Sequence, residues 1–261
     1  MNSVTNPLPR IASLVPSLTE LLFELGLGPF VVARTGYCIH PAEALGTVPK
    51  VGGTKDLNLP KLRRLAPTHV LVNVDENRLS DMPALRVIAP RVVVTHPCAP
   101  LDNLTLLDQM EAEFGALPGV ATRAEALRQE LRAELARCAA TEGPRCEVLY
   151  LIWKSPWMTV ARDTYISRML ATVGWHTLPA LEGGETGAAR YPVLRGDEPF
   201  LAGVQRVLLA SEPFSFGPAH EAAAQQLCPN ARVQMVDGEL LSWYGPRAGA
   251  GLRYLRGLAS A

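Results

Sequence analysis

The chain is short of the features that mark most recognisable functions. It has no excess of charge, since 25 Lys and Arg face 25 Asp and Glu and the formal net charge at pH 7 is zero. Capture of nucleic acid or of an anionic membrane depends on many uncompensated cations, so neither is expected as a partner. No apolar run approaches the ~18 residues that a membrane-spanning helix needs. The start, Met1 to Arg10, is polar, broken by Pro7 and Pro9, and lacks the charged and apolar regions of a secretory leader. A cytoplasmic location is therefore expected on the sequence as it stands. The five cysteines (Cys38, Cys98, Cys138, Cys146, Cys228) are odd in number, scattered and never spaced C-x-x-C. That argues against a disulfide framework and agrees with a reducing compartment.

Signatures of catalysis are missing as well. There is no G-x-x-x-x-G-K-[ST] loop to cradle a nucleotide phosphate and no G-x-S-x-G nucleophile elbow. Gly26-Leu27-Gly28 follows a helical pattern, not a strand, and has no third glycine, so it does not form a dinucleotide site. His220-Glu221 opens like H-E-x-x-H, but Ala224 stands where the second histidine would be.

What is present is a globular composition, 48% apolar and 19% charged, in 261 residues. One core saturates near 250 residues, so two lobes are expected. Short apolar runs at Ile11–Val15, Phe30–Val32, His69–Val74, Arg91–Thr95, Glu147–Trp153, Arg206–Ala210 and Arg232–Val236 alternate with helical patterns. Runs such as Val-Val-Val, without alternation, suit parallel strands buried on both faces, and the class is α/β. The longest helical stretch, Val120–Thr141, has Leu127, Leu131 and Leu135 at four-residue spacing between Gly119 and Gly143-Pro144. It divides the chain into an N-terminal lobe (1–118), a connecting helix (119–142) and a C-terminal lobe (143–261). The halves share a pattern, LRRLAPTHVLVNV (62–74) against FLAGVQRVLLASE (200–212), each a helix tail, a break and a buried strand. Two similar units imply a cleft, and ligands of such sheets collect beyond the carboxyl ends of the strands.

Candidate residues follow from those loops. Thr35-Gly36-Tyr37-Cys38-Ile39-His40-Pro41 and Thr95-His96-Pro97-Cys98 offer two imidazoles and two thiols, and Cys38, His40, Cys98 and His96 are weak candidates for metal ligands. Aromatics number only 16, yet they gather in loops of the second half: Trp153 and Trp157 flank Lys154-Ser155-Pro156, Tyr191 follows a glycine-rich stretch, and Trp243-Tyr244 precede Gly245-Pro246. Large aromatics beside Pro and Gly past a strand suit a binding surface. Trp175 is assigned to the core. Ser17 and Glu20 are expected to form a capping box at the first helix.

The segments RIASLVPSLTELLFELGLG, VGGTKDLNLPKLRRLAPTHVLV and VLYLIWKSPWMTVARDTYISRMLATVGW, with the tyrosine-proline loop and the long helix, resemble the helical-backbone substrate-binding proteins of ABC importers. The resemblance runs from Arg10 to about Leu258 and is nearest the cobalamin binders, with iron-siderophore and haem binders as cousins. It implies two Rossmann-like lobes with parallel sheets, joined by one backbone helix, and a ligand held in the cleft. Carried over by position, Tyr37 is similar to the family's ligand-contacting tyrosine, Tyr191-Pro192 to its Trp-Pro and Glu239 to an acidic residue near the last strand. Thr54, Val74 and Leu240 stand where cobalamin binders have aromatics, and Thr54 and its neighbour Lys55 are counted with Trp157 among the expected ligand-binding residues. The family docks on a permease through one carboxylate per lobe. Asp197 or Glu198 fills that role in the second lobe, whereas Pro60 stands uncharged in the first.

The reading drawn from all this is a non-enzymatic binding protein for cobalamin or a related metal chelate, with no cofactor required. Tyr37, Trp153, Tyr191, Trp243 and Tyr244 would be stacking walls, and His40 is either a solvent-facing loop histidine or, if it faces the cleft, a replacement axial ligand, in a cytosolic relative that has kept the cleft and lost delivery to a permease. The alternatives are an iron-siderophore or haem binder, a metal-dependent enzyme using the His/Cys set, and a module that binds another protein.

Overall fold

The computed structural model describes residues 8–140 and 143–260. The leader reading of Met1 to Arg10 and the end of the long helix at Thr141 fall largely or wholly outside them. The chain forms two compact units, one of residues up to His96 with Leu106–Ala126 and one of Pro97–Thr105 with the residues from Leu127 onward.

In the first unit β1 (Ile11–Ser13), β2 (Val31–Arg34), β3 (His69–Asn73) and β4 (Arg91–Thr95) make an all-parallel sheet in the order β2-β1-β3-β4. Helices α1 (Pro16–Glu24), α2 (Leu59–Arg64) and α3 (Met82–Ile88) connect the strands, and α4 (Asn103–Phe114) follows β4. β1 and β3 are buried along almost their whole length, as parallel central strands must be. β4 differs from its Val-Val-Val pattern because it lies at the sheet edge, where Val94 is exposed.

The first helix corrects the expected capping box. Pro16 takes the first helical position, where its missing N–H and fixed φ are no handicap, so the N-cap is Val15 and Ser17 lies buried inside the first turn. The hydroxyl that closes this end belongs to Thr19, which donates to Val15 O at 2.9 Å and lies 2.8 Å from Ser13 Oγ.

Helix α5 (Val120–Ala140) is shared between the units, which divide inside it at Ala126/Leu127. Its first turns bury Val120 and Ala124, with the Arg123 guanidinium over Gly26. Its later turns bury Leu131, Glu134 and Cys138.

The second unit repeats the arrangement. β5 (Cys146–Leu151), β6 (Trp175–Thr177), β7 (Arg206–Ala210) and β8 (Arg232–Val236) run parallel in the order β6-β5-β7-β8. With them are α6 (Tyr165–Ala171), α7 (Glu221–Leu227), α8 (Gly238–Ser242) and α9 (Arg247–Ala259). Trp175 is buried as expected, as the first residue of a three-residue strand that the sequence pattern did not disclose. Numbered within each unit, both sheets have the order 2-1-3-4, and the two similar sequence segments both end on the third strand. Each sheet thus reverses winding direction between its first and third strands, β1/β3 and β5/β7, the place where open parallel sheets bind ligands.

Candidate functional site

In the first unit this switch point is filled by a polar network. Asn77 is buried and its side chain makes three hydrogen bonds: the amide donates to Leu14 O (3.2 Å) and Thr54 O (3.1 Å), and Oδ1 accepts from Asn73 N (2.9 Å). Asn73 Oδ1 in turn accepts from the backbone N–H of Asp75 and Glu76, closing the turn after β3. Lys55 donates from Nζ to Asp75 O at 2.7 Å, and partial burial holds its pKa below the usual lysine value. His96 Nε2 lies 3.4 Å from Asp75 Oδ2. Neither asparagine was singled out from sequence. The signal was the N-V-D-E-N run that begins on the last residue of a strand, since Asn and Asp close turns by bonding nearby backbone.

Tyr37 stands on the loop after β2 and is 64% exposed, with its ring across Gly53, where a side-chain carbon would press on it. Half-buried His40 follows on the same loop. Cys38 is buried, with its sulfur 3.1 Å from Thr35 Oγ1, and burial pushes its thiol pKa up, the wrong direction for a thiolate ligand. Cys98 belongs to the second unit, where Arg190 Nη2 donates to its sulfur at 3.4 Å. Among the described residues no three His, Cys, Asp or Glu side chains are placed to hold a metal ion. Cys38, His40 and His96, all in the first unit, accordingly do not form such a group.

In the second unit the switch point is aromatic. The chain leaves β5 at Ile152, whose N–H donates to Met158 O (3.0 Å), and Trp153 pairs with Met158 across the resulting tight loop. Trp153 is 42% exposed and meets Phe214, in the loop after β7, edge to face at 5.3 Å. Phe214 packs on Phe216 at 4.7 Å, and Phe216 stacks on Trp157 at 6.1 Å and 12°. His220 sets its ring nearly perpendicular to both phenylalanines, at 5.3 and 5.5 Å. Lys154 lies 5.4 Å over the Trp157 ring. Phe214, Phe216 and His220 were missed from sequence, although Ser-Glu-Pro-Phe-Ser-Phe-Gly-Pro after a strand carries the same aromatic-with-Pro/Gly signal that picked out Trp153.

Trp243 and Tyr244 are a correction. Both are buried, at 7% and 5% exposure, and cannot be open stacking walls here. The indole N–H of Trp243 donates to Glu212 Oε1 at 2.5 Å, and the Arg247 guanidinium covers its ring at 4.8 Å. Tyr244 packs edge-on against Tyr165 at 6.0 Å, beside Asn103, whose oxygen accepts from Gly245 N. Glu239 is half-buried and bound to Arg247 Nη1 at 2.7 Å. Glu212 also accepts from Ser242 Oγ, and burial, aided by the charges of Glu239 and Asp237, raises its pKa above the usual carboxylate range. Tyr191 is half-buried next to Pro192, whose carbonyl accepts from Thr159 N.

Of the two proposed docking carboxylates, Asp197 is 77% exposed and 3.2 Å from Arg195. Glu198 is turned back on its own loop. Burial raises its pKa, but hydrogen bonds from the backbone N–H of Arg195 and Gly196 outweigh that and hold it low. Pro60 is exposed in the first turn of α2.

Two doubly wound parallel units of identical strand order, with irregular loops gathered past the carboxyl ends of their strands, define a two-lobed α/β protein of the solute-binding kind. Residues 11–189 match the periplasmic binding protein family, and the chain belongs to that family. A vitamin B12-binding protein of Vibrio cholerae is 26% identical over 171 residues, which are 64% of this chain and 60% of that protein, so the match spans less than two thirds of the relative's length. The fold is similar to that of the periplasmic vitamin B12 binding protein of Vibrio cholerae (TM-score 0.77, 21% identity, 97% of this chain and 96% of that one). It is also similar to a periplasmic heme-binding protein from Roseiflexus sp. RS-1 (0.73, 22%, 97% and 98%). A periplasmic heme binding protein from Pseudomonas aeruginosa gives 0.75 and 25%, over 96% and 92%.

Proposed function

We propose that this chain is a non-enzymatic binding protein for a flat metal chelate, of the corrinoid class, held by loops past the carboxyl ends of its strands. The observation that carries the proposal is the aromatic group at the second switch point, with Trp153 presented to solvent on a bed of Phe214, Phe216 and Trp157. An exposed indole held in place by other rings offers a planar apolar surface whose ordering cost is already met. The family and the B12-binding relative support the choice of ligand class. The test is intrinsic tryptophan fluorescence of the whole chain titrated with cobalamin, haem and a ferric siderophore, corrected for ligand absorbance. Saturable quenching by cobalamin, with a parallel rise in melting temperature by binding linkage, is the expected result. No response to any of the three ligands would overturn the reading.

Haem is the second reading, favoured by one observation: the exposed Tyr37 phenol shares a loop with His40, and both side-chain types ligate ferric iron. A haem complex whose absorption band shifts in Tyr37→Phe or His40→Ala would support it. An unshifted band in both variants removes it.

A further inference from the structure

The amino-terminal edge of the second sheet, at the other end of the strands from Trp153, carries a cavity of about 400 Å³. That is within the ~300–1,000 Å³ range of small-molecule sites. Its lining includes Arg145, Arg206, Arg232 and Arg256, with Trp175 and Gln205. The arginines meet because this edge is where the strands begin: Trp175, Arg206 and Arg232 are the first residues of β6, β7 and β8, and Arg145 precedes β5.

Four guanidinium groups converge here, and among the described residues only Glu147 and Glu134 pair with any of them. Arg206 and Arg232 are registered partners in the parallel β7–β8 pair, so their side chains leave the same face of the sheet, where like charges repel. Arg206 lies 5.0 Å over the Trp175 ring and donates from Nη1 to a neutral partner, Gln234 Oε1, at 3.1 Å. The Arg232 side chain makes no hydrogen bond or ion pair among the described residues; only its backbone N–H is engaged, donating to Gln205 O. Arg145 donates from Nε to Glu147 Oε1 at 2.7 Å. Arg256 lies 3.5 Å from Glu134 Oε2, a carboxylate shared with Arg137 and Arg253, and its own Nε is buried with no acceptor among the described residues. In a chain of zero net charge, this surplus is a matter of placement, not of composition.

The geometry points to a binding site in this cavity for a small polyanion carrying two or more oxyanion groups, phosphate or carboxylate. Guanidinium groups bind both oxyanions through paired, charge-assisted hydrogen bonds. The stacked Arg206 is held in position before binding, and Gln205, whose Oε1 accepts from Glu147 N at 2.8 Å, keeps its amide hydrogens as further donors. An anion between Arg206 and Arg232 would turn their repulsion into a shared attraction. The inference is independent of what binds at Trp153.

The experiment is isothermal titration of the full chain with sodium pyrophosphate and, separately, sodium citrate, at constant ionic strength. One-to-one saturable binding and a rise in melting temperature are expected. Arg232→Gln removes a side chain with no partner to lose in the fold, and it should weaken binding about tenfold or more; Arg145→Gln, which also gives up the exposed ion pair with Glu147, is a second variant, and its melting temperature without anion reads that loss separately. Trp153→Ala should leave the anion affinity unchanged. Tighter binding of pyrophosphate assigns the site to phosphates, and tighter binding of citrate to carboxylates. Absence of saturable heat from both anions up to about 10 mM, where even a ~1 mM site would fill, would overturn the inference. So would binding that both arginine variants leave unchanged.

Discussion

Replacing Trp153 by alanine tests the aromatic platform most directly, because the residue is both exposed and mechanically supported. A tryptophan can bury roughly 250 Å². The 42% of Trp153 still open to solvent therefore corresponds to about 100 Å² that a flat ligand can cover. At ~25 cal/mol per Å², covering half to all of that surface is worth about 1.2–2.5 kcal/mol, or roughly a 10- to 70-fold weaker Kd in Trp153→Ala. The cost to the fold is smaller. The backbone pairing with Met158 remains, and the edge contact with Phe214 is worth about 0.5–1.5 kcal/mol. A fall of a few degrees in melting temperature is expected, with Trp153→Phe recovering most of the affinity. Titration calorimetry with cobalamin reads the effect without depending on the fluorescence of the residue removed. A well-folded Trp153→Ala variant that binds with unchanged Kd would refute the reasoning.

Three further perturbations test the packing behind the site. Burial raises the folded pKa of Glu212 above its unfolded value near 4.5, so the stability tied to its neutral form is present below that pH and is lost as pH rises through the folded value. Glu212→Gln imitates the neutral form and keeps an acceptor for Trp243 and Ser242, so its melting temperature should gain on the native chain as pH rises from 4.5 to 8; a constant difference would contradict this. Asn77→Ala strands the Asn73 N–H and removes the donor to Leu14 O, costing about 2–4 kcal/mol and moving the unfolding of the first unit to lower urea concentration. Gly251→Ala places a methyl group against the Leu240 carbonyl, where α9 packs on α8, and an overpacking loss of about 1–3 kcal/mol should appear as a lower melting temperature.

Much of the fold was legible because parallel strands announce themselves as unbroken apolar runs. Arg91–Thr95, Arg206–Ala210 and Arg232–Val236 are the observed limits of β4, β7 and β8. β6 escaped because Trp-His-Thr is too short to show a pattern. The misplaced cap at Ser17 shows a local motif losing to a neighbour, since Pro16 settles where the helix starts whatever follows it. At the site, one local rule gave opposite results. Aromatics beside Pro and Gly after a strand found Trp153, whose exposure fits the rule. The same rule also chose Trp243 and Tyr244, which are buried by partners remote in sequence: Glu212 for one, Tyr165 for the other. Burial of a loop aromatic depends on such distant groups, and no local pattern carries that information.

The internal repeat explains why the candidate surfaces differ although the sheets do not. The similar segments 62–74 and 200–212 both run through the third strand of a 2-1-3-4 sheet, so what they share encodes a buried strand and its place. Chemistry diverges within two or three residues past the strand end. After β3, Asn73 and Asn77 fold the chain back on itself and consume the backbone donors of the turn, leaving a rigid polar surface beside Lys55 and Asp75. After β7, Glu212 points inward to Ser242 and Trp243, while Phe214, two residues on, meets Trp153. With only Pro213 between them, the inward carboxyl is expected to position the aromatic surface from behind. Removing its hydrogen bonds altogether, as in Glu212→Leu, should therefore weaken ligand binding at Trp153 even though no atom of Glu212 belongs to that surface, whereas Glu212→Gln should preserve it. Equal affinities for the two variants would show that the loop after β7 is held by the packing of its phenylalanines alone.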